Sequence, residues 1–186
     1  MILKYFILFT FNFSFLINWA INDSVIVDTI FPKNELNDIV LIKNDSNILP
    51  LKKLDTLKIA TLNLANKSSN RFEKTCDNYY KSNHYHFNTF SSKRVMKVMK
   101  KELESFSTIL IISDTIHQNM ADFINSLEKK QKVIFCYVGQ NKLPFYNSFS
   151  SNIDALLYSP NKDQKTISFI SQLTFGGYSI NNKLKH

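Results

Sequence analysis

The chain has 186 residues, of which 44% are hydrophobic and 20% are charged. This size and composition predict one globular domain with a substantial core, and they exclude a chain that is disordered over most of its length. Only three glycines occur. None of them forms a Gly-rich phosphate-binding motif, so the sequence excludes P-loop and dinucleotide-binding turns.

The net charge of +8 comes from basic residues scattered along the whole chain. Small clusters occur around Lys52, Lys97 and Lys130. A nucleic-acid-binding protein would concentrate such charges on one surface and add base-stacking aromatic side chains. We therefore expect solvated helix faces and no nucleic-acid partner.

The first 22 residues have the layout of a secretory signal peptide. Lys4 precedes the apolar stretch 5–20, and the polar residues 22–24 follow it. The stretch is short for a membrane span and contains two asparagines. We expect an export signal in residues 1–22, with an uncleaved anchor or the remnant of a longer segment as the alternatives. The expected location is periplasmic or extracellular, and contact with a membrane is expected only through this segment if it stays uncleaved.

Residues 23–34 are predicted to be a linker, and residues 35–186 to be one domain. The first predicted element of this domain is a short helix over 35–43, because its apolar residues recur at helical spacing. The polar residues that follow predict a turn. Pro50 then restricts Leu49 to extended geometry and prevents a helix from resuming.

Strands and helices alternate along the rest of the chain. The run 108–113 is apolar without interruption, which is typical of a strand covered on both faces. The predicted strands are 57–64, 84–90, 108–113, 132–138 and 153–158, and the predicted helices are 71–80, 93–105, 119–130 and 163–175, with a loop or short helix over 141–149. Gly176 and Gly177 are predicted to cap the last helix. This alternation predicts an α/β fold: a three-layer, flavodoxin-like sandwich with a mostly parallel sheet of about five strands and helices on both faces.

Polar side chains at the carboxyl end of a central predicted strand are candidate ligand-binding groups. Asp114 follows strand 108–113 directly, and His117 comes three residues later. Ligands of open parallel sheets bind at such strand ends. Asp114 and His117 are therefore candidate substrate-binding residues, with ordinary loop polarity as the alternative explanation.

Histidines and cysteines supply no convincing metal site. His84 and His86 point to the same side of a predicted strand, and two imidazoles at this spacing can share a metal. The sequence shows no third ligand for them, so no metal and no cofactor are expected. Cys76 and Cys136 lack a metal-binding spacing. Cys136 is predicted to be a buried thiol within its strand, with a disulfide to Cys76 as the alternative.

The order of motifs resembles the C-terminal α/β-sandwich domain of glycoside hydrolase family 3, the family of β-glucosidases and β-N-acetylhexosaminidases. The resemblance begins with residues 38–45 (DIVLIKND), 47–51 (NILPL) and 58–60 (KIA). Residues 132–139 (KVIFCYVG) and 172–177 (QLTFGG) continue it in the order of the family. The resemblance covers residues 35–186.

The resemblance implies a neighbouring (β/α)₈ barrel domain that carries the nucleophilic Asp of the family. It also implies a Glu acid/base in a Glu-Gly-x-Asp-Arg context, yet neither feature is found in this sequence. Retaining glycosidases need two carboxyl groups about 5–5.5 Å apart, and we expect no catalytic residue here.

The expected role is that of a domain, noncatalytic by itself, which acts in carbohydrate metabolism by packing on a barrel domain or by binding a glycan or another partner. One alternative is a subunit of a split β-glucosidase or β-N-acetylhexosaminidase that hydrolyses O-glycosyl bonds. The other is a flavodoxin-like binding protein of unrelated role.

Overall fold

The computed structural model describes residues 24–26, 39–65, 70–86, 92–139, 142–144 and 146–177. Residues 1–22, for which an export signal is predicted, lie outside these ranges, as do residues 35–38 and 87–90 of two predicted elements. The strands are β1 (Ser24–Ile26), β2 (Val40–Asn44), β3 (Ile59–Asn63), β4 (Asn83–His86), β5 (Thr108–Ser113), β6 (Lys132–Val138), β7 (Lys142–Pro144) and β8 (Ala155–Ser159). The helices are α1 (Arg71–Asp77), α2 (Lys93–Leu103), α3 (Gln118–Ser126), α4 (Tyr146–Phe149) and α5 (Gln164–Phe175).

Six of the described strands form one sheet in the order β2-β8-β6-β5-β3-β4. All neighbours in this sheet are parallel except β2, which runs antiparallel to β8. Core residues of α1 and α5 pack on one face of the sheet, and those of α2, α3 and α4 pack on the other. The predicted α/β three-layer sandwich is therefore confirmed, with a sixth strand in addition to the five expected.

The central strands are apolar throughout because both of their faces are covered. In β5, Ile109 and Ile111 belong to the core layer shared with α2 and α3, whereas Leu110 and Ile112 belong to the layer shared with α1 and α5. All four side chains are fully buried. Each contributes roughly 1.5–3 kcal/mol by its removal from water, which fixes the register of β5 strongly.

The helix predicted over 35–43 is wrong where the structure describes it, because Val40–Asn44 is the edge strand β2. Val40, Leu41 and Ile42 are consecutive buried residues. They point alternately into the two core layers, whereas a helix would bury a single stripe of its surface. Short apolar runs fit a helix and a buried strand equally well by spacing alone. Pairing with β8 decides between them.

The polar turn predicted after this element is confirmed, although it ends a strand. Lys43 Nζ donates to the carbonyl oxygens of Ser150 at 2.6 Å and Ile153 at 2.5 Å, and lies 3.0 Å from Asp45 Oδ2. Ser46 and Asn47 adopt positive φ angles of 53° and 51°. Short polar side chains tolerate this left-handed conformation better than most others.

A second, two-stranded sheet pairs β1 with β7 in antiparallel register. β1 falls in the segment 23–34, for which the sequence predicts a linker, and β7 falls in the predicted loop or short helix 141–149. The short helix α4 occupies the end of that same segment. Among the described residues, no helix has the length and hydropathy needed to cross a membrane.

Candidate functional site at the carboxyl edge of the sheet

The carboxyl ends of the parallel strands meet along one edge of the main sheet, which we call the carboxyl edge. Ligands of open α/β sheets bind at this edge. Polar side chains close several of its strands: Asn63 ends β3, His86 ends β4, Ser113 ends β5 and Ser159 ends β8. The serines and Asn63 are buried, and His86 is about half exposed, with 51% of its side-chain surface accessible.

Asp114 and His117, the two residues singled out from sequence, both lie in the connection from β5 to α3. Asp114 is half-buried and His117 is exposed. The buried side chain of Ile116 anchors the loop between them. Burial, Tyr158 and the charge of Asp114 together raise the pKa of the Tyr137 phenol to about 12. The position of Asp114 and His117 agrees with the expectation, and substrate binding by them stays a prediction.

The two strand-end serines have a structural role in their turns. Ser113 Oγ donates to the carbonyl oxygen of Thr115 at 2.6 Å and accepts from its N–H at 3.3 Å. Ser159 Oγ accepts from the N–H of Asn161 at 3.2 Å. Such short loops satisfy the backbone where the sheet ends. These serines therefore shape the carboxyl edge and are occupied by local hydrogen bonds.

Two histidines of β4 face two carboxylates of α1. His84 Nε2 lies 3.1 Å from Asp77 Oδ1, and His86 Nε2 lies 3.6 Å from Glu73 Oε1. The spacings match because two strand residues span about 6.7 Å and four helical residues rise about 6 Å. Each histidine thus has its own carboxylate. Within the described part of the chain no group of three metal-ligand side chains is found.

The neighbouring strand β3 extends this arrangement by one layer. β3 and β4 are parallel, and their register sets Thr61 beside His84 and Asn63 beside His86. Thr61 Oγ1 lies 2.7 Å from His84 Nδ1, and Asn63 Nδ2 donates to Glu73 Oε1 at 2.7 Å. His84 is therefore hydrogen-bonded to Thr61 through Nδ1 and lies within ion-pair distance of Asp77 through Nε2, and Glu73 is held at one oxygen.

Asp77 is stabilised as an anion. Burial raises the pKa of its carboxyl group, but His84, the backbone N–H of Ser82 and the charge of Lys81 together lower it by more, so the pKa lies below its ordinary value. The Ser82 N–H lies 3.2 Å from Asp77 Oδ1, and Lys81 Nζ lies 3.4 Å from Oδ2. Asp77 therefore acts as a fixed negative charge that orients His84.

Glu73 differs from Asp77 in having a spare acceptor. Only 3% of the residue is exposed, and its Oε2 atom has no hydrogen-bond partner among the described residues. An unsatisfied buried acceptor costs about 1–3 kcal/mol. A ligand hydroxyl or N–H that reached Oε2 would remove this cost, and the adjacent half-exposed His86 offers an exchangeable donor or acceptor. Glu73, Asn63 and His86 thus form the best-defined polar cluster of the carboxyl edge.

Sequence reasoning singled out His84 and His86 but missed their carboxylate partners. The usable signal was the four-residue spacing of Glu73 and Asp77 on the predicted helix 71–80, which sets both on one face. Which strand that face meets depends on the order of the strands in the sheet. This order cannot be predicted from local sequence patterns.

No family model and no curated protein matches this sequence. Solved structures match its fold. A glycoside hydrolase family 3 β-N-acetylglucosaminidase from a Paenibacillus species is similar with a TM-score of 0.61 and 10% identity, over 76% of this chain and 29% of that chain. The β-glucosidase from Listeria innocua in complex with isofagomine is similar with a TM-score of 0.56 and 15% identity, over 75% of this chain and 24% of that chain. The glycoside hydrolase family 3 β-glucosidase of Bifidobacterium adolescentis is similar with a TM-score of 0.56 and 12% identity, over 76% of this chain and 26% of that chain.

At these identities the similarity establishes the fold. It confirms that this chain resembles one region of glycoside hydrolase family 3 enzymes, as its motifs predict. The chain covers no more than 29% of any of the three solved chains.

Proposed function

We propose that this chain is a noncatalytic relative of the C-terminal domain of glycoside hydrolase family 3 enzymes, and that it acts in carbohydrate metabolism. Its carboxyl edge would pack against a catalytic barrel, on the same or another chain, and help to bind a glycan there. The observation that carries this proposal is the similarity in fold to a β-N-acetylglucosaminidase, which covers 76% of this chain and 29% of that enzyme's chain. We also propose export from the cytoplasm, on the basis of the signal-like residues 1–22.

Glycan binding at the carboxyl edge is supported by the hydrogen-bonding capacity of its polar cluster. Sugar hydroxyls donate and accept, so they suit an accessible imidazole beside a carboxylate with one oxygen that has no partner among the described residues. Glu73 supplies the first group and His86 the second. Asn63 holds the carboxylate in place from the adjacent strand, which gives the site a fixed geometry before any ligand arrives.

The noncatalytic part of the proposal is supported by the state of Asp77 and Glu73, the two acids of α1. A general acid in glycoside hydrolysis has a raised pKa, whereas the pKa of Asp77 is lowered. Asp77 is engaged by His84, and Glu73 is held by Asn63. These contacts orient the two carboxylates as structural groups.

A hydrolysis assay on the full chain tests this part of the proposal. Aryl β-glucoside and aryl β-N-acetylglucosaminide should not be turned over by the chain alone. Turnover that a single carboxylate substitution abolishes would contradict the noncatalytic role. Turnover that arises only after addition of an isolated family 3 barrel domain would support the split-enzyme alternative.

A sugar titration tests the binding part. We expect cellobiose or N,N′-diacetylchitobiose to perturb the imidazole NMR signals of His86, and Glu73→Gln to weaken the response at least fivefold. Glu102→Gln, on the exposed side of α2, is the matched control and should bind as the unaltered chain does. An unchanged His86 signal with both sugars would contradict glycan binding at the carboxyl edge.

A further inference from the structure

A polar groove runs along the contact between α1 and α5, on a different side of α1 from Glu73 and Asp77. We call it the α1–α5 groove. It is open to solvent and has a volume of about 400 Å³. Its lining residues combine cationic, amide, hydroxyl and aromatic side chains: Arg71, Lys74, Thr75, Asn78, Tyr79, Ser168 and Gln172.

The groove carries two positive charges and no carboxylate in its lining. Within the described residues, neither Arg71 nor Lys74 takes part in an ion pair, whereas the acids of α1 pair with histidines of β4. Arg71 Nε donates to Ser168 Oγ at 2.6 Å. This bond fixes the guanidinium, and its two terminal nitrogens have no acceptor among the described residues. A fixed planar guanidinium suits the two oxygens of a carboxylate or sulfate group.

The opposite end of the groove carries an aromatic ring in a fixed orientation. Tyr79 stacks on Phe175 with ring centroids 5.5 Å apart and planes within 4°, yet 38% of the tyrosine is exposed. Gly177 lies so close to the same ring that a Cβ atom at that position would collide with the Tyr79 hydroxyl. A rigid, partly exposed ring offers contact area at low entropic cost.

The spacing between the charged end and the aromatic end suits a ligand longer than a small ion. Arg71 begins the seven-residue helix α1, which rises about 10 Å, and Tyr79 lies two residues beyond its end. The Thr75 hydroxyl already donates to the Arg71 carbonyl oxygen at 2.8 Å, but the groove is also lined by the side-chain amides of Asn78 and Gln172. Such groups match sugar hydroxyls as both donors and acceptors.

We propose that the α1–α5 groove binds an acidic saccharide, a short glycan that carries a carboxylate or sulfate group. The oxyanion lies between Arg71 and Lys74, and a neighbouring sugar ring packs on Tyr79. This site is separate from the carboxyl edge, so its binding does not depend on Glu73 or His86.

Titration of the full chain with three probes tests the proposal. Cellobiouronic acid differs from cellobiose only in having a carboxylate in place of one hydroxymethyl group. Sodium sulfate supplies an oxyanion without a sugar. We expect the acidic disaccharide to bind at least tenfold more tightly than either of the other probes, and its affinity to fall with added salt. Equal affinity for the two disaccharides would overturn the proposal. Sulfate binding as tight as that of the acid would overturn it as well.

Substitutions in the groove locate the site. Lys74→Gln removes a charge from a side chain that makes no hydrogen bond among the described residues, and it should weaken binding of the acid at least fivefold, as should Arg71→Gln. Tyr79→Leu should reduce the advantage of the acidic disaccharide over sulfate. Lys101→Gln, an exposed lysine of α2 on the other face of the sheet, is the matched control and should change nothing.

The same titrations distinguish this site from the carboxyl edge. Loss of acid binding in Glu73→Gln but not in Lys74→Gln would overturn the assignment to the groove. If Glu73→Gln retains binding of the acidic disaccharide and Lys74→Gln loses it, the assignment to the α1–α5 groove is supported, whatever the outcome for neutral sugars.

Discussion

The side chain of Asn44 pairs with both backbone polar groups of Leu49. Asn44 Nδ2 donates to the Leu49 carbonyl oxygen at 3.1 Å, and Asn44 Oδ1 accepts from the Leu49 N–H at 2.9 Å. In a sheet, a neighbouring strand would offer the backbone of Leu49 the same pair, one donor and one acceptor. The carboxamide therefore closes the turn that follows β2 and delivers the buried side chain of Leu49 into the core layer of α1 and α5.

Substitution of Asn44 tests the importance of this closure. Asn44→Ala should lower the free energy of unfolding by about 2 kcal/mol, because it removes two hydrogen bonds worth about 1 kcal/mol each. Chemical denaturation measures the change. Asn47→Gly is the matched control, because Asn47 is exposed and has a φ of 51° that glycine adopts readily. A similar loss in both variants would contradict a specific role for Asn44.

The cap of α5 offers a second test. Asp163 Oδ1 accepts from the Thr166 N–H at 2.8 Å, and Asp163 Oδ2 accepts from Thr166 Oγ1 at 2.9 Å. Asp163→Ala should cost about 1 kcal/mol of stability, as is typical when an N-cap is lost. Asp163→Asn keeps an acceptor and should cost less. Thermal unfolding at neutral pH ranks the three proteins, and an Ala variant as stable as the Asn variant would contradict capping.

Acid should destabilise the protein through two carboxylates. Hydrogen bonding from the Thr166 N–H lowers the pKa of Asp163, and bonding from His84, against the effect of burial, lowers that of Asp77. Because the folded pKa values are depressed, the stabilisation is present above the ordinary carboxyl pKa of about 4 and is lost as pH falls through the folded values. The free energy of unfolding should therefore fall steeply below about pH 4.

The variants Asp163→Asn and Asp77→Asn identify the source of this acid sensitivity. Each should be less stable than the unaltered chain at pH 7 and should show a shallower loss of stability between about pH 4 and pH 2. Asp55→Asn, at an exposed position, is the control. Identical pH profiles for all four proteins would contradict the assignment.

The two thiols should be inert in the folded protein. Cys76 and Cys136 are free and fully buried, and burial raises the pKa of Cys76 to about 12 and also raises the pKa of Cys136. A thiolate is the reactive form. Neither cysteine should react with a thiol reagent at pH 8, and both should react after unfolding in guanidinium chloride. Rapid labelling of one thiol in the native chain would contradict this prediction.

The sequence indicated the layers of the fold more reliably than its edges. The uninterrupted apolar runs of β5 and β6 predict buried parallel strands, because a strand covered on both faces has no polar side to show to solvent. β2 is equally apolar but short, and its residues fit helical spacing as well. Its identity as a strand depends on hydrogen bonds to β8, more than 100 residues later in the chain.

Local chemistry is what the sequence determined by itself: the alternation of strands and helices, the polar turn after β2, and the burial of Cys136. These follow from side-chain type and spacing over a few residues. Only the tertiary structure decided that His84 meets Asp77, that His86 lies near Glu73 and that Arg71 meets Ser168. Each of these contacts joins two separate elements. Their meeting depends on strand order and helix placement, which are set by burial of the whole core and not by any local pattern.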